Sequence, residues 1–124
     1  MHLEIKDLAD DIEGLPQYIK ELKNKYGKFT GMACCAGIVD IKPLQIIEKA
    51  TMEKLFDIDY YVPIFMTKGF ADRRNNIGKG ASIVYISSIA AKYCDRGMLN
   101  YAGAKAALIS SAKSIGRELA TQGI

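Results

Sequence analysis

The chain has little of what metal centres, disulfide scaffolds and membrane spans are built from. Its single histidine, His2, has no second ligand nearby, and its three cysteines are Cys34, Cys35 and Cys94. An odd count with two of the three adjacent suits neither a zinc site nor a disulfide framework. No metal site is expected, and the thiols read as reduced cysteines of a cytoplasmic protein. No stretch approaches the roughly 20 uninterrupted apolar residues of a membrane-spanning helix, so no membrane partner is expected. The opening MHLEIKDLADD lacks the basic region followed by an apolar one that marks a signal peptide. Lysines and arginines are scattered, giving a net charge of +3. A nucleic-acid binder clusters such residues on one face, so no nucleic-acid partner is expected. Internal repeats, low-complexity tracts and linkers are also missing, and residues 1–124 read as one domain.

What is present is the balance of an ordinary globular protein, 49% apolar and 25% charged residues. A chain of 124 residues can bury a real core. Residues 2–6 read as a short strand ending at Asp7. An amphipathic helix is expected over 11–26, because Ile12, Leu15, Ile19, Leu22 and Tyr26 recur at three or four residues. Gly27 stops it. FTGMACCAG (29–37) reads as a buried strand running to about Cys35. After a connecting segment over 38–50, Thr51 is the expected N-cap of a helix running to about Arg74. Leu55, Ile58, Val62 and Phe65 form its apolar stripe, and Pro63 should bend it. NNIGKG (75–80) is turn chemistry. ASIVYIS (81–87) reads as a strand buried on both faces, and a last helix spans about 99–121, ending at Gly123. Alternating strands and helices predict a parallel α/β sheet with helical crossovers.

In YAGAK (101–105), Tyr101 and Lys105 lie four apart, on one face of the last helix. The strand 81–87 runs into Ser87-Ser88 at its carboxyl end, where ligands bind in open α/β sheets. The strand before it ends in Cys35-Ala36-Gly37, where a glycine lets a ligand approach the backbone. Three features thus converge on one sheet edge.

These residues resemble the short-chain dehydrogenase/reductase family, in its compact, 3-oxoacyl-ACP-reductase-like branch. ACCAG (33–37) is similar to that family's N-N-A-G segment, and LFDIDYYVPIFMTKGF (55–70) to its long following helix. SIVYISSIAA (82–91) matches the strand carrying its catalytic serine, and YAGAKAAL (101–108) its Y-x-x-x-K helix. Ser88 stands thirteen residues before Tyr101, the family's usual spacing, which favours it over Ser87. The resemblance covers essentially the whole chain. It implies a partial doubly wound, Rossmann-like sheet that lacks the first βαβ portion and the C-terminal strands. The glycine-rich G-x-x-x-G-x-G turn that cradles pyrophosphate at a helix N-terminus has no counterpart in residues 1–124, and GKGA (78–81) precedes a strand where that turn would follow one. The chain resembles the middle of a longer family member.

The resemblance further implies hydride transfer between NAD or NADP and a small-molecule carbonyl or alcohol. Tyr101 would be the general acid/base and also a cofactor contact, and Lys105 would favour its phenolate and hold the nicotinamide ribose. Ser88 would hydrogen-bond the substrate oxygen. Asp59 takes the place of a helix asparagine that joins the lysine to a water-mediated proton relay, and its charge would offset that of Lys105. On the cofactor side, Asp7 matches the aspartate that reads the adenine amine, and Leu8 would offer its backbone N–H. Ala36 and Gly37 match the segment lining the adenine. Asp7 alternatively caps the next helix. Cys34 and Cys35 stand where the family has asparagines, and thiols donate only weakly. A homo-oligomer through helices 51–74 and 99–121 is implied as well. The alternative reading is a truncated, non-catalytic fragment that self-associates as an interaction or structural module. A sugar-nucleotide epimerase of the extended branch shares the tyrosine and lysine, but the C-C-A-G segment and the Ser88 spacing favour the compact branch.

Overall fold

A computed structural model describes residues 1–124. Its elements follow in the order α1 (Leu15–Tyr26), β1 (Gly31–Cys34), α2 (Lys49–Phe56), a π turn (Asp57–Tyr61), α3 (Val62–Phe70), β2 (Ser82–Tyr85) and α4 (Leu99–Leu119). Short 3₁₀ turns occupy Leu44–Ile46, Ile89–Ala91 and Ala120–Gln122. The two strands pair in parallel, with Gly31 opposite Ser82 and Cys34 opposite Tyr85. The expected α/β class with a parallel sheet and helical crossovers is therefore what the chain adopts.

Several expectations need correction. Residues 2–6 form no strand. A strand needs a neighbour for its backbone groups, and β1 pairs only with β2. Side chains tether this segment instead: Glu4 binds Lys25 at 2.6 Å and accepts a hydrogen bond from Tyr26, while His2 stacks on the Tyr26 ring at 4.4 Å. Neither strand is buried on both faces. Exposed and partly covered residues alternate along each, because a two-stranded sheet with helices on one side covers only that side. The runs MAC and SIVY are apolar enough to have suggested burial on both.

The first helix begins at Leu15 rather than residue 11, with Pro16 in its first turn, where a missing N–H costs nothing. The helix expected over 51–74 starts at Lys49 after Glu48, so Thr51 is not its N-cap, and it ends at Phe70. Pro63 does interrupt it, but through a π turn just before the proline. Pro63 has no N–H for the carbonyl four residues back, and the Val62 N–H reaches five residues back, to Asp57. The extra residue turns Asp59 inward, where it is fully buried.

The core lies between the helices and the covered sheet face. α1 packs on α3 through Leu15, Ile19 and Phe70, and α4 packs on α2 and the π turn through Ala102, Ala104 and Leu108, all buried. Asn75 and Asn76 are buried in the NNIGKG turn, and their amides donate to the Gly69 and Phe70 carbonyls at 2.8 and 2.7 Å. These bonds satisfy carbonyls at the end of α3 that have no helical donor. Gly69 allows the close approach of α1, since a Cβ there would lie 2.8 Å from Pro16 Cα and 2.9 Å from Ile19 Cβ. Gly69→Ala is expected to destabilise the protein by about 1–3 kcal/mol through overpacking. Gly116→Ala on α4, where a Cβ meets nothing within 4 Å, should instead stabilise it by about 0.4–1 kcal/mol. Urea unfolding of the two variants measures both, and equal effects would refute the packing argument.

Candidate active site

The carboxyl ends of β1 and β2, the π turn and the first turns of α4 meet in one place. Lys105 is carried there by α4 and buried to 4% exposure. Its Nζ donates to the Ile86 carbonyl just beyond β2 at 3.1 Å and lies 3.1 Å from Asp59 Oδ2. The second approach is an ion pair without hydrogen-bond alignment, so Oδ2 has no donor of its own. The other carboxylate oxygen accepts from the Ile38 N–H at 2.7 Å. Gly37 closes the group: a Cβ there would sit 3.3 Å from both Asp59 Oδ2 and Lys105 Nζ. One buried pair thus joins both strand ends, the π turn and α4.

Tyr101, one turn earlier on α4, is partly exposed. The Lys105 ammonium stands 5.7 Å from its ring centroid, within cation–π range. Ser88 follows β2, and its Oγ accepts from the Ala90 N–H at 3.2 Å. That bond uses a lone pair and leaves the hydroxyl hydrogen free to donate outward. Ser87 is engaged elsewhere, its Oγ donating to the Lys105 carbonyl at 3.2 Å and so tying β2 to α4. Of the residues singled out in the sequence, Ser88, Tyr101, Lys105, Asp59 and Gly37 therefore gather around the two strand ends.

The remaining candidates sit on the other side of β1. Leu8 and Ala36 line a cleft of about 210 Å³ between the end of β1 and α3. Asp7 is exposed, and its Oδ1 accepts from the Ala9 N–H at 2.9 Å, capping a turn and no helix. Burial, with the neighbouring Cys35, pushes the Cys34 thiol up to about 11. Tyr85, reaching Thr67 Oγ1 at 2.5 Å, is also pushed up by burial, against the opposing effect of that bond.

Sequence reasoning missed the Ile86 carbonyl and the Ile38 N–H, because backbone groups leave no residue signature. It also missed Thr67, whose hydroxyl donates to the Pro63 carbonyl at 2.8 Å and so steadies the turn after the π segment. The connecting segment and the loop after β2 are linked by a bond from the Lys42 N–H to the Gly97 carbonyl at 2.9 Å.

Known proteins match this chain and its fold. The family described as short chain dehydrogenase matches residues 4–124. A galactitol 2-dehydrogenase from Agrobacterium fabrum is 27% identical over 98% of this chain and 46% of its own length. A vibriobactin-specific 2,3-dihydro-2,3-dihydroxybenzoate dehydrogenase from Vibrio cholerae is 30% identical over 95% of the chain and 44% of its own. Among solved structures, a short chain dehydrogenase from Burkholderia cenocepacia in complex with NADP superposes with a TM-score of 0.88 at 25% identity, covering 97% of this chain and 48% of that one. The chain belongs to the short chain dehydrogenase family, and its fold is a partial Rossmann-like sheet of that family. It spans about half the length of the relatives it matches.

Removing one partner of a buried ion pair strands the other. Asp59→Leu is expected to cost about 3–5 kcal/mol of stability, and the double variant Asp59→Leu/Lys105→Met to recover most of it. Chemical denaturation of the four proteins in this cycle tests the coupling, which fails if the double variant is as unstable as the single one.

Proposed function

We propose that these residues form the proton-handling and cofactor-facing part of an NAD(P)(H)-dependent oxidoreductase acting on a small-molecule alcohol or carbonyl. The observation that carries this reading is the buried Lys105 anchored to the Ile86 carbonyl just beyond β2, with its ammonium 5.7 Å from the Tyr101 ring centroid. Support comes from relatives named as dehydrogenases of galactitol and sorbitol and as an acetoacetyl-CoA reductase, whose names share the alcohol–carbonyl interconversion and little else.

In the reducing direction Tyr101 Oη gives its proton to the substrate oxygen. The Lys105 ammonium, 5.7 Å from the ring centroid, would favour the phenolate left behind. Ser88 Oγ donates to the same substrate oxygen and holds the carbonyl in place. The nicotinamide cofactor, when bound, supplies or accepts the hydride. Asp59 keeps Lys105 in position and partly offsets its charge.

The residues fit two parts of such a cofactor. Ala36 and Leu8 line an apolar cleft suited to an adenine ring, and Asp7 Oδ2 would accept from the adenine amine. At the other end, Lys105 would meet the nicotinamide ribose hydroxyls, while Gly37 leaves its side-chain position to the Asp59–Lys105 pair. The pyrophosphate is assigned to none of residues 1–124.

Titration with NADH and NADPH, followed by nicotinamide fluorescence, is expected to give micromolar binding, and no binding at millimolar cofactor would overturn the reading for this chain. Tyr101→Phe is expected to lower turnover by at least about 100-fold, with cofactor affinity retained. Turnover that survives that change would remove Tyr101 from the mechanism.

A second reading, self-association as an interaction module, rests on the outer edges of the sheet, which pair with nothing. Around them Val84 is 51% exposed, Ile86 49% and Ile89 75%. Unpaired edges and contiguous apolar surface favour pairing with another copy. Multi-angle light scattering is expected to give a dimer or larger species, and a monomer at high concentration would exclude it.

A further inference from the structure

Asp59 is placed to act on Tyr101 through Lys105. It is fully buried, so solvent and salt do not screen its charge. The Ile38 N–H occupies one carboxylate oxygen at 2.7 Å, while Oδ2 accepts no hydrogen bond and stands 3.1 Å from Lys105 Nζ. Lys105 pairs with no other carboxylate, and its ammonium is 5.7 Å from the Tyr101 ring centroid. Titratable groups on the neighbouring elements are engaged elsewhere. Asp57 and Tyr61 of the π turn line a surface hollow with Glu53 of α2, which pairs with Lys49, and the Tyr60 hydroxyl lies 3.0 Å from Ser111 Oγ. Lys42, Cys94 and Asp95 border a cavity against Ala102 and Ala106 of α4, and Cys34 and Cys35 line the cleft beside α3. Tyr85 of β2 is bonded to Thr67, and the turn Ile89–Ala91 carries no titratable side chain.

Carbonyl reduction consumes the Tyr101 phenol. Its O–H bond breaks, an O–H bond forms on the substrate oxygen, and a hydride from the reduced nicotinamide goes to the carbonyl carbon. Alcohol oxidation reverses each transfer and needs the phenolate. Lys105 alone favours the phenolate, and a buried carboxylate in contact with Lys105 opposes that effect. We propose that Asp59 is a positioning residue that, acting through Lys105, keeps Tyr101 in its phenol form and so sets this site for reduction. Oxidation is thereby confined to more alkaline pH than an uncharged residue 59 would allow. The overall equilibrium is untouched. What changes is which direction starts without a proton first leaving Tyr101 for solvent. This role rests on the oxidoreductase reading and assigns that reading its working direction.

The test compares the pH dependence of both directions in the wild type and in Asp59→Asn, which keeps an oxygen for the Ile38 N–H. Half-maximal oxidation is expected about one pH unit lower in the variant, and reduction should fade about one unit earlier as pH rises. Tyrosinate ultraviolet absorbance reads the same change without cofactor or turnover. Subtracting the matching Tyr101→Phe protein isolates one of the seven tyrosines. Asp59→Asn/Lys105→Met keeps the pair neutral, so its Tyr101 should ionise within about half a unit of the wild type, and this comparison stands if Asp59→Asn alone fails to fold. Identical Tyr101 titrations in the wild type and Asp59→Asn would overturn the role. So would a double variant whose Tyr101 ionises about one unit or more above the wild type. A titration that moves as expected in a chain without turnover upholds the action of Asp59 on Tyr101 and counts against the oxidoreductase reading alone.

Discussion

The buried Asp59–Lys105 pair is the constraint on which the rest of the site depends. Burying two charges costs several kcal/mol per ion, and only close pairing with further hydrogen bonds offsets that cost. Here the further bonds are to backbone: Lys105 to the Ile86 carbonyl beyond β2, and Asp59 to the Ile38 N–H beyond β1. The pair therefore does more than neutralise itself. It fixes where both strands end relative to α4, and thereby where Tyr101 and Ser88 stand. The π turn before Pro63 is part of the same arrangement, since it turns Asp59 inward. Local irregularities of this kind are frequent at functional sites.

Much of this arrangement was legible in the sequence, and the unread parts share a cause. The placing of Tyr101 and Lys105 on one helix face follows from periodicity, while the choice of Ser88 before them is what the family resemblance implies. The parallel pairing of two apolar segments joined by a helical crossover follows from order along the chain. Residues 2–6 were misread because a strand is a property of a pair, and a sequence window does not say whether a neighbour exists. Burial of the strands was overestimated for the same reason: an apolar run such as SIVY shows affinity for a core, while the number of covered faces depends on which helices are present. Thr51 has the chemistry of a cap, yet the cap is Glu48 and the helix starts at Lys49, so that Thr51 lies within its first turn.

The departures from the family pattern fall in two places, and each changes the chemistry of its neighbourhood. Asp59 stands where the family resemblance places an asparagine, so a charge that the asparagine lacks is here paired with Lys105. The two asparagines before Ala36-Gly37 become Cys34 and Cys35, so strong hydrogen-bonding groups at the end of β1 give way to weakly donating, polarisable sulfur. A cleft lined this way offers contact area rather than directed bonds. The Asp59 change tightens the inner half of the site, and the cysteine pair softens the outer half.

That difference extends to how firmly each part is held. Ala36 and Gly37 precede the Ile38 N–H bonded to a fully buried carboxylate, so their backbone moves only if the ion pair opens. Asp7 and Leu8, by contrast, follow a segment tethered to α1 through Glu4, Lys25 and Tyr26, contacts made among exposed side chains. Exposed pairs contribute little against the entropy of holding long side chains in one geometry, so the Asp7–Leu8 end opens at lower free energy than the Lys105 end. In the proposed oxidoreductase this places the rigid half of the cradle against the reacting groups, where positional error is most expensive in rate. The adenine end can adjust to its ligand without disturbing Tyr101.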